Sequence, residues 1–318
     1  MDKLSGEIEA FRREWRSDCP YIVAHTSGST GKPKEIHLPK SLMKRSAERS
    51  IRHFGITASS RLHLALSPQY IAGKMLLLRA MIAGCTLTYE QASSYPLGDP
   101  KEMSEITLLS LVGTQLQGLK NNLEKGTLPP IRNLLLGGAP LNATMRRIAL
   151  SGPWQTWESY GMTETASHVA LRRISAKPGP FEALPGISFR LNADGCLVID
   201  LGEDGVIETN DIAELIDTRR FHLKGRKDNV IITGGLKVFP EEIEAVLAPH
   251  MADRRFLITS RESEKWGHEL ILVVEGAPTE LPDFHTLQLL PHQRPKAVLF
   301  REKIPITSSG KIMRNASF

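Results

Sequence analysis

Cysteine is almost missing from this chain. There are three among 318 residues, Cys19, Cys85 and Cys196, far apart and with no Cys-x-x-Cys spacing. That argues against a disulfide framework and against a thiolate zinc site, and fits a reducing compartment. Long apolar runs are missing too. The longest, residues 75–84, is interrupted by Arg79 and falls far short of the ~20 residues a membrane span needs. The opening residues carry no apolar core of a secretory signal, so the cytoplasm is the expected address. Blocks of like charge are also lacking. Forty basic residues nearly balance 35 acidic ones, leaving a net charge of +5. This allows weak steering of an anionic ligand. No Lys/Arg stripe with interleaved aromatics is present, so nucleic acid is not an expected partner.

What is present reads as an ordinary globular chain, 41% apolar and 24% charged, long enough for about two domains. In the first half, short apolar runs alternate with helical patterns. Strands are expected at 21–24, 62–66, 86–89, 106–112 and 133–136, and helices at 40–53 and 72–83. That alternation predicts an α/β layered domain with a mostly parallel sheet, with 21–24 as a buried strand. From about residue 187 the β runs crowd together, at 187–191, 197–200, 206–208 and 212–216, with Asp194-Gly195 and Asp204-Gly205 as turns. Such spacing predicts antiparallel hairpins. After Gly225-Arg226 a small α+β unit follows, with strands at 230–233 and 237–239. Its helix opens on Pro240-Glu241-Glu242, proline and acids being first-turn residues. The boundary between domains 1–224 and 225–318 is placed at 224–228.

The strongest local signal follows the first strand: His25-Thr26-Ser27-Gly28-Ser29-Thr30-Gly31-Lys32-Pro33-Lys34. Glycines let the backbone approach a ligand closely, hydroxyls and amides donate to phosphate oxygens, and two lysines supply charge. It is not a Walker loop, because Pro33 stands where Ser or Thr should follow the lysine. Taken alone, it favours a functional loop, with a plain polar loop as the alternative.

Further motifs succeed it in order: Gly137-Gly138-Ala139-Pro140; Tyr160-Gly161-Met162-Thr163-Glu164-Thr165; Thr209-Asn210-Asp211; Gly225-Arg226-Lys227-Asp228 with Glu241-Glu242-Ile243-Glu244; and Pro305-Ile306-Thr307-Ser308-Ser309-Gly310-Lys311-Ile312-Met313-Arg314. This series, from about residue 21 to 314, resembles the adenylate-forming superfamily of acyl-CoA synthetases, peptide-synthetase adenylation domains and luciferases. The resemblance implies a large α/β adenylation domain followed by a small, hinged α+β C-terminal domain. It implies an ATP-dependent, AMP-forming acid–thiol ligase using ATP, Mg²⁺ and CoA. Such catalysis is largely positioning and electrostatic stabilisation around phosphorus.

By the same resemblance, residues 26–34 close over the β- and γ-phosphates, and Gly138 and Ala139 line the adenine side with Tyr160 and Gly161. Thr163 bonds the α-phosphate, and Glu164 holds Mg²⁺, which prefers oxygen ligands. Asp211 takes the ribose hydroxyls, and Arg226 donates to ribose or phosphate. Asp228 is the hinge, Gly234 and Gly235 let the pantetheine arm pass, and Lys311 bridges the attacking carboxylate and the α-phosphate. Read singly, Asp211 could cap a turn and a terminal Gly-Lys is ordinarily solvated.

Two departures stand out. Members of the superfamily usually carry well over a hundred residues of N-terminal subdomain before the phosphate loop, so the large domain is truncated relative to them. A minimal enzyme, or a second subunit such as a homodimer partner covering apolar surface, are the two expectations. Relatives often have Pro-x-x-His-x-x-Gly where this chain has Pro68-Gln69-Tyr70-Ile71-Ala72-Gly73. The short chain and the stretch 70–75 look most like the o-succinylbenzoate–CoA ligases of menaquinone biosynthesis. Arg79 agrees: it breaks an apolar helix, where a second substrate carboxylate would need a partner once desolvated. An arginine there could also snorkel to the surface or pair with a local acid. Tyr70, Ser167 and His168 are candidates for the acyl pocket, the last two equally readable as plain strand residues. The alternatives are another aryl- or acyl-CoA ligase, an amino-acid adenylation domain, for which no pocket carboxylate is seen, and a degenerate nucleotide-binding regulator.

Overall fold

The computed structural model describes residues 2–25, 34–99, 103–138, 141, 143–175, 178–251, 254–306 and 312–314. The chain forms two compact units. The first comprises Met1–Pro140, Met145–Ser188 and Asp200–Ile207; the second comprises Leu141–Thr144, Phe189–Ile199 and Glu208–Phe318.

The first unit begins with α1 (Lys3–Arg16), capped by the Asp2 carboxylate, which accepts from the Ser5 N–H at 2.8 Å. It continues through β1 (Tyr21–His25), β2 (Glu35–Pro39), α2 (Lys40–Phe54), β3 (Arg61–Leu64), α3 (Ile71–Ala83), β4 (Thr86–Tyr89), β5 (Ile106–Val112), α4 (Leu116–Glu124) and β6 (Ile131–Gly137). After α5 (Ala143–Ala149) come β7 (Gln155–Gly161), β8 (His168–Arg173) and β9 (Phe181–Ala183). Its sheet runs β9-β8-β7-β6-β5-β3-β4. The pairs from β4 through β7 are parallel, and β8 and β9 are added antiparallel. The expected α/β architecture with a mostly parallel sheet is therefore present.

Parallel strands must be joined by crossovers and end up covered, so they read as continuous apolar runs. β5, with Ile106 to Leu111 all buried, is such a run. From Met75 onward α3 is apolar apart from Arg79, and Met75, Leu76, Leu77 and Leu78 are essentially inaccessible, as are Leu62 and Leu64 of β3. Burial of each such side chain stabilises by ~1.5–3 kcal/mol. α2 packs on α3 and ends at Gly55, whose φ of 60° supplies the left-handed stop. The turn at Asp204 is clamped to α2: Arg45 makes a two-pronged pair with its carboxylate, and Arg49 reaches it at 3.9 Å.

Two sequence expectations are corrected. The strand at 21–24 does not join the parallel sheet. It pairs antiparallel with β2 in a separate two-stranded ribbon, Tyr21 opposite Pro39 and His25 opposite Glu35. The second arm of this ribbon, β2, is too polar to be read as a strand from its sequence. The runs 206–208 and 212–216 are one strand, β12 (Val206–Leu215), with a bulge between Ile212 and Ala213. Thr209-Asn210-Asp211 lies inside it, because its alternating side chains satisfy a strand even though Asn and Asp are poor strand formers.

In the second unit, β10 (Ser188–Leu191), β11 (Cys196–Asp200), β12 and β13 (Arg220–Arg226) are neighbours in that order. β14 (Ile231–Thr233) and β15 (Leu236–Val238) form a hairpin, followed by α6 (Pro240–Leu247). β16 (Phe256–Ser263) and β17 (Gly267–Glu275) pair antiparallel, and β18 (Ala297–Arg301) adds parallel to β17. Pro240 opens α6 with Glu241 and Glu242 in its first turn, as the sequence indicates. Val238, Ile243, Leu247, Ile258, Leu272 and Val274 make the core beneath it.

Candidate active site

In the first unit the site is organised by the loop leaving β7. Gly161 has no room for a side chain: a Cβ there would lie 2.3 Å from the Ser167 carbonyl oxygen. Thr165, 1% exposed, staples the loop. Its hydroxyl accepts from the Met162 N–H at 3.0 Å and presents its proton to the carbonyls of Ser167 (2.6 Å) and Met162 (3.0 Å). The Ala166 N–H closes a turn onto the Thr163 carbonyl at 2.9 Å, with Ala166 itself at φ 59°. This geometry carries Thr163 half-buried and Glu164 exposed at the loop tip. Tyr160, just before the loop, is 7% exposed and tilted against Phe181 with ring centroids 5.8 Å apart. Gly138 adopts φ 91° after β6. Gly137 leaves space for Ser159, whose hydroxyl would sit 2.6 Å from a Cβ and which donates to the Leu136 carbonyl at 3.0 Å.

The other end of the same loop meets α3. Arg79 is 2% exposed, so it does not snorkel to solvent. Its Nη2 donates to the Ser167 hydroxyl at 2.8 Å, and its Nε has no hydrogen-bond partner. Among the described residues no carboxylate pairs with it, and burial pulls its guanidinium down to about 10. Ser167 Oγ lies 3.2 Å from His168 Nδ1, and His168 Nε2 lies 2.9 Å from Ser50 Oγ on α2. His168 is buried, and burial first, then the nearby Arg79 and His53, holds its imidazole well below the usual range. Arg79, Ser167 and His168 are thus one cluster, to which Ser50 belongs. Ser50 carries no motif and lies far away in sequence, and its only signal is a polar side chain on the inward face of an amphipathic helix. Tyr70 does not join the cluster. It is exposed at the N-cap of α3, roughly 13 Å along the axis from Arg79 at ~1.5 Å per residue.

The second unit brings its own set together. Asp211 on β12 stands opposite Arg226 on β13, their charged groups 3.4 Å apart, and Arg226 also reaches Asp228 at 3.1 Å. The Thr209 hydroxyl accepts from the Asp211 N–H at 3.0 Å and donates to the Leu197 carbonyl. Gly234 and Gly235 form the two-residue turn of the β14–β15 hairpin with φ of 55° and 79°. Positive φ at both positions is what such a turn needs, and it is a reason for glycine independent of any ligand. The Trp266 ring lies against Gly234, 2.9 Å from where a Cβ would be.

Thr26, Ser27, Gly28, Ser29, Thr30, Gly31, Lys32, Ala139 and Lys311 lie outside the described residues; Lys34 lies within them, exposed, just before β2. Around Lys311 the flanks are held: Ile306 bridges Ile312, and the Met313 N–H donates to the Pro305 carbonyl at 2.9 Å. Arg314 binds Glu244 of α6 at 2.5 Å and the Ile258 carbonyl at 3.2 Å. Among the described residues no three His, Cys, Asp or Glu gather into a metal cluster. A single exposed carboxylate at Glu164 suits Mg²⁺, which commonly takes one or two carboxylates and fills its shell with nucleotide phosphates and water. No described helix is long and apolar enough to cross a membrane.

Comparison with known proteins bears on this arrangement. The AMP-binding enzyme family matches residues 5–215. The chain is 27% identical to the 2-succinylbenzoate–CoA ligase of Bacillus subtilis, over 97% of this chain and 70% of that protein. Its fold resembles the Bacillus subtilis o-succinylbenzoate CoA synthetase in complex with the acyl-adenylate intermediate. That match has a TM-score of 0.78 and 25% identity, over 92% of this chain and 68% of that one. It also resembles an AMP-forming acyl-CoA synthetase/AMP-acid ligase II-like protein from Dyadobacter fermentans. There the TM-score is 0.65 with 28% identity, over 98% of this chain and 92% of that one.

Proposed function

The chain belongs to the AMP-binding enzyme family, and on that premise we propose that it is an AMP-forming carboxylic acid–CoA ligase whose acid is o-succinylbenzoate. A substrate carboxylate attacks the α-phosphorus of ATP, giving acyl-adenylate and pyrophosphate. The CoA thiol then displaces AMP and leaves the acyl thioester. The observation that carries the choice of acid is Arg79: a buried guanidinium whose hydrogen-bond partner is the Ser167 hydroxyl, with no carboxylate beside it among the described residues. A buried charge is costly unless paired. o-Succinylbenzoate has two carboxylates, so one can react while the other occupies Arg79. A fatty acid would leave the cation unanswered. Similarity to the 2-succinylbenzoate–CoA ligase supports the same acid.

The residues then take these roles. Residues 26–34 and Gly138-Ala139 cradle the nucleotide, Thr163 donates to the α-phosphate, and Glu164 holds Mg²⁺, which supplies charge neutralisation at the phosphates. Tyr160 and Gly161 border the adenine. Asp211 accepts from the ribose hydroxyls, and the neighbouring Arg226 cation keeps its carboxylate oriented. Lys311 stabilises the charge that builds as the carboxylate attacks. Residues 225–318 turn about Asp228 between the two half-reactions, bringing Gly234-Gly235 to the pantetheine arm. Ser167 and His168 wall the acyl pocket, with Tyr70 at its outer margin.

Pyrophosphate release measured over a panel of carboxylic acids tests the reading. o-Succinylbenzoate should be turned over with the highest kcat/KM. A panel led by a monocarboxylate would transfer the reading to another aryl- or acyl-CoA ligase.

A further inference from the structure

The cluster behind Arg79 has a direction. Arginine can only donate, so Ser167 Oγ accepts from Arg79 Nη2 at 2.8 Å. At the far end, the Ser50 hydroxyl donates its one hydrogen to the Ser46 carbonyl one helical turn back, at 3.2 Å. The Ser50 oxygen is then left to accept, and the group 2.9 Å from it is His168 Nε2. Nε2 therefore carries the imidazole proton, Nδ1 is bare, and the Ser167 hydroxyl, 3.2 Å away, donates to it. The order Arg79 to Ser167 to His168 to Ser50 to Ser46 satisfies each hydroxyl. The opposite tautomer would leave the Ser167 hydrogen without an acceptor among the described residues, and an unmade hydrogen bond at a partly buried hydroxyl is costly. Every side chain in the series sits in the first unit, and Ser50 is fully inaccessible.

We propose that Ser50 and His168 are positioning residues for the acid-selecting arginine: Ser50 fixes His168 as the Nε2-protonated tautomer, His168 turns the Ser167 hydroxyl, and Ser167 thereby offers Arg79 an oxygen lone pair that holds its guanidinium in register for a second substrate carboxylate. This rests on the reading of Arg79 as the substrate's cation. Its physical content is that the direction of one hydroxyl is set two side chains away. A Ser167 rotated to donate elsewhere would let the guanidinium turn, because among the described residues no other hydrogen bond holds its head group. Neither Ser50 nor His168 need touch the substrate for this to work.

The test uses the intact enzyme with ¹⁵N-labelled histidine. In the wild type, His168, assigned by its disappearance in His168→Gln, should show a protonated Nε2 and a bare Nδ1. Ser50→Ala removes the acceptor while placing a strong helix former in α2, so the fold should persist, which the melting temperature checks. In that variant the tautomer signature should become mixed. The KM for o-succinylbenzoate should rise about tenfold, the scale of one charge-linked hydrogen bond, with kcat little changed and the KM for a monocarboxylate analogue unmoved. An Nδ1-protonated His168 in the wild type would overturn the proposal. So would an unchanged KM in Ser50→Ala, or an equal KM rise for both acids, since that is the mark of a merely structural serine. The tautomer does not depend on any substrate. If it behaves as stated but Arg79→Leu fails to separate the two acids, the reading of Arg79 is what falls.

Discussion

Replacing Arg79 by leucine separates selectivity from stability. Removing one partner of a desolvated charge pair costs roughly 3–5 kcal/mol, and ~1.4 kcal/mol is a factor of ten. The kcat/KM for o-succinylbenzoate should accordingly fall by about 10²–10³. A monocarboxylate analogue, which leaves the cation unanswered in the wild type, should lose little or improve. The free protein gives the complementary reading. Arg79 has its bond to Ser167 and no acid beside it among the described residues. Exchanging a buried charged group for a well-packed apolar one of similar volume is often neutral or stabilising by ~1–4 kcal/mol. At ~2–4 °C per kcal/mol for a domain of this size, the melting temperature of Arg79→Leu should hold or rise. Steady-state kinetics on both acids and one thermal melt decide the matter. An equal activity loss on both acids with a lowered melting temperature would refute the reasoning and make Arg79 a structural residue.

Other outcomes follow from the same geometry. Lys311→Ala should reduce adenylation at least ~10²–10³-fold, the scale of one lost charge-stabilising group. It should spare thioester formation from presynthesised acyl-adenylate; equal loss in both steps would dismiss the two-orientation scheme. Glu164→Gln should raise the Mg²⁺ concentration needed for half-maximal adenylation, and an unchanged Mg²⁺ titration would remove Glu164 from that role. Stability should also depend on pH through His168, whose folded pKa is held well below its unfolded value by burial. The unfolded chain then binds the extra proton, so this contribution is complete above pH ~6.5 and is lost as pH falls toward the folded value, with a slope approaching ~1.4 kcal/mol per unit. Denaturant melts from pH 7 to 5 should show that slope and His168→Gln should flatten it; identical profiles would discount it.

The parts of the molecule legible in the sequence are those where chemistry is written in short contiguous stretches. The turn at Gly161 to Thr165 and the opening of α6 at Pro240 depend on neighbours in the chain, and both lie where the sequence places them. Arg79 was legible as an anomaly because α3 is otherwise apolar from Met75 onward; its burial and its tie to Ser167 were not, since they depend on what folds against that helix. Ser50 was invisible for the same reason: a helical serine is unremarkable until His168 is found 2.9 Å away. The misplacement of residues 21–24 has a similar cause. A short apolar run says strand, but its partner was the polar β2, and pairing is a property of two segments. The continuity of β12 was hidden by Asn210 and Asp211, which sequence preference assigns to turns; Asp211 is held extended by pairing with Arg226 of β13.

The Thr165 staple has a consequence for how such a site can change. One loop presents Thr163 and Glu164 at its tip and Ser167 and His168 at its exit. The Thr165 hydroxyl fastens Met162 to Ser167 through backbone atoms alone. The tip is thus shaped by main-chain bonds that do not consult the side chains at 167 and 168. Those two positions, with Arg79 and Ser50, can be rewritten to suit a different acid while the groups assigned to phosphate and metal stay where they are. Gly161 and the spacing of the loop enjoy no such freedom, since a side chain at 161 collides with the backbone of Ser167. Libraries that retarget this enzyme should vary 50, 79, 167 and 168 together and leave 161–165 untouched.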